Sequence, residues 1–216
     1  MKLKWISLIL ILILSSCGGD SEDIKNAIDE ANFLLTERNC SRARTVLDEV
    51  GYQKTNPRYI AAYATTYACE ANYSTVNFFA DDLTKLSSAT DGFLGSLASF
   101  TTSDRMTAAN DEDFTKLQQA INTILYSGDL TDSSSLNRIN IFGSSAASNL
   151  HAQALYMVMV NFGRWLRYHG NASATGVKGA GTNPEANNCL YSYNAGGAFY
   201  AVVVDALDDG AANSGS

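Results

Sequence analysis

Histidine is nearly absent from this 216-residue chain, which holds only His151 and His169. Placed on one helix, the two lie on the same face but about 27 Å apart along the axis, so they share neither a metal nor a proton. A capping role for His169 and a core-edge role for His151 follow. No cysteine pair has CxxC spacing and no histidine neighbours a cysteine, which removes zinc. No Gly-x-Ser-x-Gly elbow occurs, and Gly176-Val177-Lys178-Gly179-Ala180-Gly181 lacks the spacing of a phosphate cradle. The acidic clusters at Asp81-Asp82, Asp111–Asp113 and Asp208-Asp209 lack the order of a calcium loop. Charge is scarce as well: 17% of residues are charged, below the usual quarter, and the net charge is −7. A nucleic acid partner is excluded on that balance, because phosphate binding draws on clusters of lysine and arginine. The expectation is therefore a protein with no metal, no cofactor and no catalytic constellation.

What is present begins at the first residue. Met1-Lys2-Leu3-Lys4 is basic, Trp5 to Leu14 is almost wholly apolar, and two small residues precede Cys17. This order of basic, apolar and small-residue regions is a secretory leader over residues 1–16, too short for a permanent span. The Leu14-Ser15-Ser16-Cys17 ending resembles the lipobox of bacterial lipoproteins. The resemblance implies cleavage before Cys17, acylation of its thiol, and a membrane partner reached through that lipid anchor. Removing a leader that holds Lys2 and Lys4 takes 15 basic residues to 13 against 22 acidic ones, a net of −9. Such a body is held at a bilayer by acyl chains and not by a basic face. Gly18-Gly19 lacks the aspartate that retains some lipoproteins at the inner membrane, so the expected location is the outer membrane, facing the periplasm.

The mature chain, residues 17–207, reads as a single all-α domain. Ile24, Ala27, Ile28, Ala31, Leu34 and Leu35 recur at helical spacing after an Asp20-Ser21 start. Ala43, Val46, Leu47 and Val50 mark a second helix that Gly51 ends in a left-handed turn. Asn56-Pro57 opens a third, with proline at the first helical position and Tyr59, Tyr63 and Tyr67 at successive i+4 positions. After Tyr73-Ser74, the residues Val76, Phe79, Leu83 and Leu86 line a fourth. The turns at Asn39-Cys40-Ser41 and Asn72-Tyr73-Ser74 are one helix pair apart, near the period of about 34 residues typical of tetratricopeptide repeats. Over residues 20–86 the chain resembles that family, though the Trp, Leu-Gly and Tyr positions of its first helix are missing.

That resemblance has two consequences. In such stacks the first helices of successive pairs run side by side, which implies that Cys40 and Cys69 meet at one end and form a disulfide. Three thiols remain after Cys17 is acylated, and an exported chain with three thiols invites one bridge and one remainder, here Cys189. First helices of these repeats also present partner-binding residues, which makes Tyr59, Tyr63 and Tyr67 a possible contact stripe for a protein partner. The alternative is a packing ridge.

Residues 91–169 read as a helical bundle. Asp91 caps a short helix over Phe93, Leu94, Leu97 and Phe100, and residues 101–110 form a polar connection. Asp111 opens an amphipathic helix with Phe114, Leu117, Ile121, Ile124 and Leu125 inward, stopped at Gly128. Asp129 to Ser135 reads as loop. From Ser145 to His169 runs the longest helix, apolar all round between Leu155 and Val160 and so central in the bundle. Arg164, Arg167 and His169 are placed to complement its C-terminal dipole, and Gly170 ends it. The Gly-rich stretch 170–188 is either packed by its own small side chains or serves a site. Ala198 to Leu207 is a short apolar segment, and 208–216 a disordered tail. Three function classes follow: a protein-binding scaffold or adaptor in the cell envelope; a small-ligand or solute-binding component of an envelope transport system, with its pocket between the all-apolar helix and the Gly-rich loop and marked by a large apolar cavity beside Met157 and Met159; and, least supported, a hydrolase.

Overall fold

The computed structural model describes residues 19–86 and 92–183. The leader, Cys17, Asp91, Cys189, the end of the Gly-rich stretch, the 198–207 segment and the 208–216 tail lie outside the described residues. Among the described residues the fold is all-α, without strands. The chain divides into two compact units with the boundary between Tyr52 and Gln53.

The first unit is a helical hairpin. Helix α1, Gly19–Thr36, and helix α2, Cys40–Glu49, pack on each other. Ala27, Ile28 and Ala31 are buried on one helix, Ala43, Val46 and Leu47 on the other, as the spacing predicts. The turn between them places Arg38 in the left-handed region at φ 61°. Helix α2 starts at Cys40, with Asn39 in the N-cap position and no side-chain bond from it. Gly51 has φ 72°, the left-handed conformation expected after this helix.

The second unit is built around two enclosed helices. Helix α3, Pro57–Glu70, begins as its sequence requires: the Asn56 side-chain oxygen accepts from the backbone N–H groups of Arg58 and Tyr59, and Pro57 sits where no N–H is needed. Its principal neighbour is α6, Glu112–Leu125, more than forty residues on, rather than the adjacent helix with which a tetratricopeptide-like hairpin would pair it. Every residue from Tyr59 to Ala71 is buried or half-buried, with alanines on the faces where other helices come close.

Helix α4 spans 75–85 and is interrupted by a π-turn over Phe78–Asp82. Ser74 caps it as expected, accepting from the Asn77 N–H. The π-turn overturns the expected inward face. An extra residue per turn shifts the side chains within and after it: Phe78 and Asp82 are buried and Phe79 is 48% exposed, while Val76, ahead of the turn, is 75% exposed. Asp82 accepts from the backbone N–H of Thr101 at 2.6 Å, from the Thr101 hydroxyl and from Lys85 at 3.3 Å. An acidic residue that reads as solvated surface is thus a buried anchor for the 99–103 turn.

Helix α5, Gly92–Ala98, buries Leu97 and leaves Phe93 and Leu94 about half exposed. In α6 Leu117, Ile121, Ile124 and Leu125 are buried and Phe114 half-buried, matching the periodicity. Helix α7, Ser135–Phe142, lies where no helix was expected. It is capped by Ser134, which accepts from the Asn137 N–H, and it buries Arg138 at its centre, a polar residue that breaks the apolar period. Helix α8, Ser144–His169, is the long central helix: every residue from His151 to Gly170 is buried or half-buried, and it packs on α3, α5, α6 and α7. The approach of α5 is close. A Cβ at position 163 would overlap the Leu97 carbonyl oxygen, so Gly163 is the residue that admits it. At the end of α8 the left-handed residue is Asn171, with φ 45°, and not Gly170, which stays helical.

Candidate functional site

The basic residues near the end of α8 have three different fates. Arg164 is fully buried and donates to backbone carbonyls of three segments: Ala71 at 2.7 Å, Asp113 at 2.9 Å and Thr102 at 3.2 Å, with a further bond to the Thr102 hydroxyl at 3.2 Å. Burial pulls its pKa down to about 10, against the opposing pull of Asp113 and Asp111. It is a tertiary staple and not the dipole complement expected from its place near the helix end. His169 is half-buried, and burial lowers its pKa below the ordinary value, so at neutral pH it carries no cation for the dipole. His151 is bonded instead to α7: its Nε2 accepts from Arg138 Nε at 2.8 Å, which leaves the ring proton on Nδ1. Both histidines are therefore absorbed by packing.

Arg167 is the one that reaches a cavity. Between the last turn of α8, the Gly-rich loop and the 104–107 segment lies a hollow of about 280 Å³, near the lower end of ligand-site volumes. Arg167 and Tyr168 line it from the helix, Asp104, Met106 and Thr107 from the connection, and Ala172, Thr182 and Asn183 from the loop. The loop is held against the helix end by its own backbone. Gly170 N–H donates to Leu166, Ala172 N–H to Arg167 and Asn171 N–H to Tyr168, so the terminal carbonyls of α8 are satisfied. The Asn183 side chain closes the ring by donating to the Tyr168 carbonyl at 2.8 Å, while its N–H donates to the Asn171 side chain at 2.9 Å. Glycine is required at 176, where φ is 86° and a Cβ would overlap the Gly95 carbonyl. Residues 170–183 thus pack on themselves, and Ala172, Thr182 and Asn183 also form one wall of the cavity.

One wall of the cavity is fixed from below. Asp111 caps α6 through the N–H groups of Asp113 and Phe114, and accepts from the Thr107 N–H at 3.0 Å and hydroxyl at 2.9 Å. Burial alone would raise its pKa, but these bonds win and hold the carboxyl below its ordinary value.

The tyrosine stripe is graded. Tyr59 is wholly buried and stacks on Tyr63 with ring centroids 5.6 Å apart, and Tyr63 meets Tyr67 edge-on at 5.6 Å. Tyr63 and Tyr67 are half-buried, and Lys116 sits 5.6 Å from the Tyr67 ring while pairing with Glu70 at 3.0 Å. More exposed apolar surface lies elsewhere, at Val76 and Phe79 beside the π-turn, where Phe79 packs edge-on against Tyr156 with centroids 5.0 Å apart. Cys40 and Cys69 form a disulfide. Among the described residues no group of His, Cys, Asp or Glu is placed to hold a metal ion, and no helix is long and apolar enough to cross a membrane. The cavity shares the Gly-rich loop with the expected pocket, but it lies at the charged end of α8 and is not lined by Met157 or Met159. Asp104, Met106 and Thr107 carried no signal, because the connection they lie in reads simply as polar.

No protein-family model, curated protein or solved structure matches this chain.

Proposed function

We propose that the chain is a bacterial envelope lipoprotein, tethered through acyl groups on Cys17, whose helical body acts by binding a protein partner as a scaffold or adaptor at the periplasmic side of the outer membrane. The observation that carries this reading is the leader, in which a basic start, an apolar run and Leu14-Ser15-Ser16 lead into Cys17. The acidic balance of the chain agrees, since it leaves lipid chains as the means of attachment. Recognition of a protein is supported by the apolar side chains of Val76 and Phe79, open to solvent at the π-turn, and by Tyr63 and Tyr67, which Tyr59 backs from the interior. The tetratricopeptide-like character of residues 20–86 belongs to the same reading. The test has two arms. Cys17→Ser should abolish labelling by a fatty-acid analogue and release the chain from membranes. A photo-crosslinker at Tyr67 or Phe79 should trap one protein in intact cells, and the same group at exposed Glu37 should not. A Cys17→Ser chain that stays membrane-bound, or equal trapping from all three positions, would end this reading.

A second reading is favoured by one observation, the cavity at the end of α8: a small-solute binder of the envelope.

A further inference from the structure

We infer that the cavity at the end of α8 binds a small zwitterion, a solute with a carboxylate and an ammonium group on neighbouring carbons, the carboxylate facing Arg167 and the ammonium facing Asp104. This rests on the small-solute reading and narrows it to one chemical class.

The argument begins with what the cavity's charges do not do. Most cations of the described residues are engaged: Lys25 with Asp29, Arg42 with Glu49, Lys85 with Asp82, Arg105 with Asp113, Lys116 with Glu70, and Arg164 with three carbonyls. Arg167 is half-buried, and although its backbone carbonyl accepts from the Ala172 N–H, its guanidinium has no ion-pair or hydrogen-bond partner among the described residues. Asp104 likewise accepts no hydrogen bond and forms no ion pair among them. Asp104 acts on Arg164 through its field alone, so two opposite charges line one hollow with neither side chain hydrogen-bonded or ion-paired to a described residue, and both can take a partner from outside.

Neighbouring groups do not compete for those charges. The carbonyls at the end of α8, which would otherwise attract Arg167, are already occupied by N–H groups of the loop. Asp111, which holds the lining residue Thr107, accepts four hydrogen bonds of its own, two of them from Thr107. A guanidinium presents a planar fork that matches a carboxylate, and a carboxylate accepts from an ammonium. A ligand of one sign would use one of the two wall charges, and the exposed Asp104 or the half-buried Arg167 would stay with water. A neutral solute would leave both unmatched, whereas a zwitterion satisfies both at no net charge. The volume of about 280 Å³ suits a molecule of roughly ten heavy atoms and is too small for a peptide of several residues.

The test is calorimetric titration of the full chain in detergent with L-glutamine and L-serine as zwitterionic probes. Propionate supplies the carboxylate alone, propylamine the amine alone, and glucose neither. The expected result is saturable binding of at least one zwitterion, with propionate and propylamine about tenfold weaker or more, as loss of one charged hydrogen-bonded contact implies. Arg167→Gln and Asp104→Asn should each weaken zwitterion binding by about tenfold or more. Asp104 is exposed, so its variant keeps the fold even if Arg167→Gln does not, and thermal unfolding of both reports this. Glucose binding that neither variant alters would overturn the zwitterion and leave the small-solute reading standing. Failure of every probe to bind would overturn both.

Discussion

Arg164 Nη2 donates to the carbonyl of Ala71 at 2.7 Å, across 93 residues of sequence, and so ties the middle of the second unit to the end of α3. The same guanidinium reaches Asp113 and Thr102, so one buried cation closes the ends of three segments. The cavity wall at 104–107 is held at both ends, through Thr102, whose carbonyl Arg164 holds, and through Thr107, which donates to Asp111.

Replacing Arg164 by Met should cost about 3–5 kcal/mol, since the carbonyls of Ala71, Asp113 and Thr102 would lose buried partners together. Denaturant unfolding of Arg164→Met against the parent measures it. A loss under about 1 kcal/mol would mean that water replaces the guanidinium without difficulty.

Gly163→Ala should destabilise by about 1–3 kcal/mol, although alanine is the better helix former. The added Cβ meets the Leu97 carbonyl, which is backbone and cannot swing aside. A thermal melt decides the sign, because helix propensity alone predicts a stabilised protein.

The Asp111 carboxyl has a folded pKa below its ordinary value of 3.8, so its stabilisation is complete above that value and is lost as pH falls through the folded pKa. Asp111→Ala should cost about 0.5–2 kcal/mol at neutral pH, the usual loss for an N-cap. The difference between variant and parent should shrink in acid. An Asp111→Ala deficit that stays constant from pH 7 down to pH 2 would contradict this assignment.

Reduction of the Cys40–Cys69 disulfide reopens a loop of about thirty residues. The chain-entropy model makes that worth about 3–4 kcal/mol. Unfolding with and without dithiothreitol, with Cys40→Ala/Cys69→Ala as the matched control, gives the value.

Much of the fold was legible from local chemistry. The starts of α3, α4 and α6 follow from Asn56, Ser74 and Asp111, each of which bonds the N–H groups that its helix leaves open. The enclosure of α8 follows from a helix with no polar face. What failed did so where a residue's role is assigned from elsewhere in the chain. The inward face of α4 was misread because the π-turn moves Phe78 and Asp82 inside, and Asp82 is held there by Thr101, nineteen residues on. Helix α7 was missed because Arg138 interrupts its apolar period, and that arginine lies buried against His151 and the Leu125 carbonyl.

By itself the sequence determined the helical class and the caps that start α3, α4 and α6, because these depend on residues within one turn of each other. It also carries the leader ahead of Cys17, a pattern read along the chain. Only the tertiary structure decided which charges are used up inside the molecule and which are left over. Arg164 and Arg167 stand one turn apart on one helix with the same side chain, yet the first is enclosed by three carbonyls and the second faces a hollow. Which of two such residues is enclosed depends on segments that approach from far along the chain, and no local pattern records that approach.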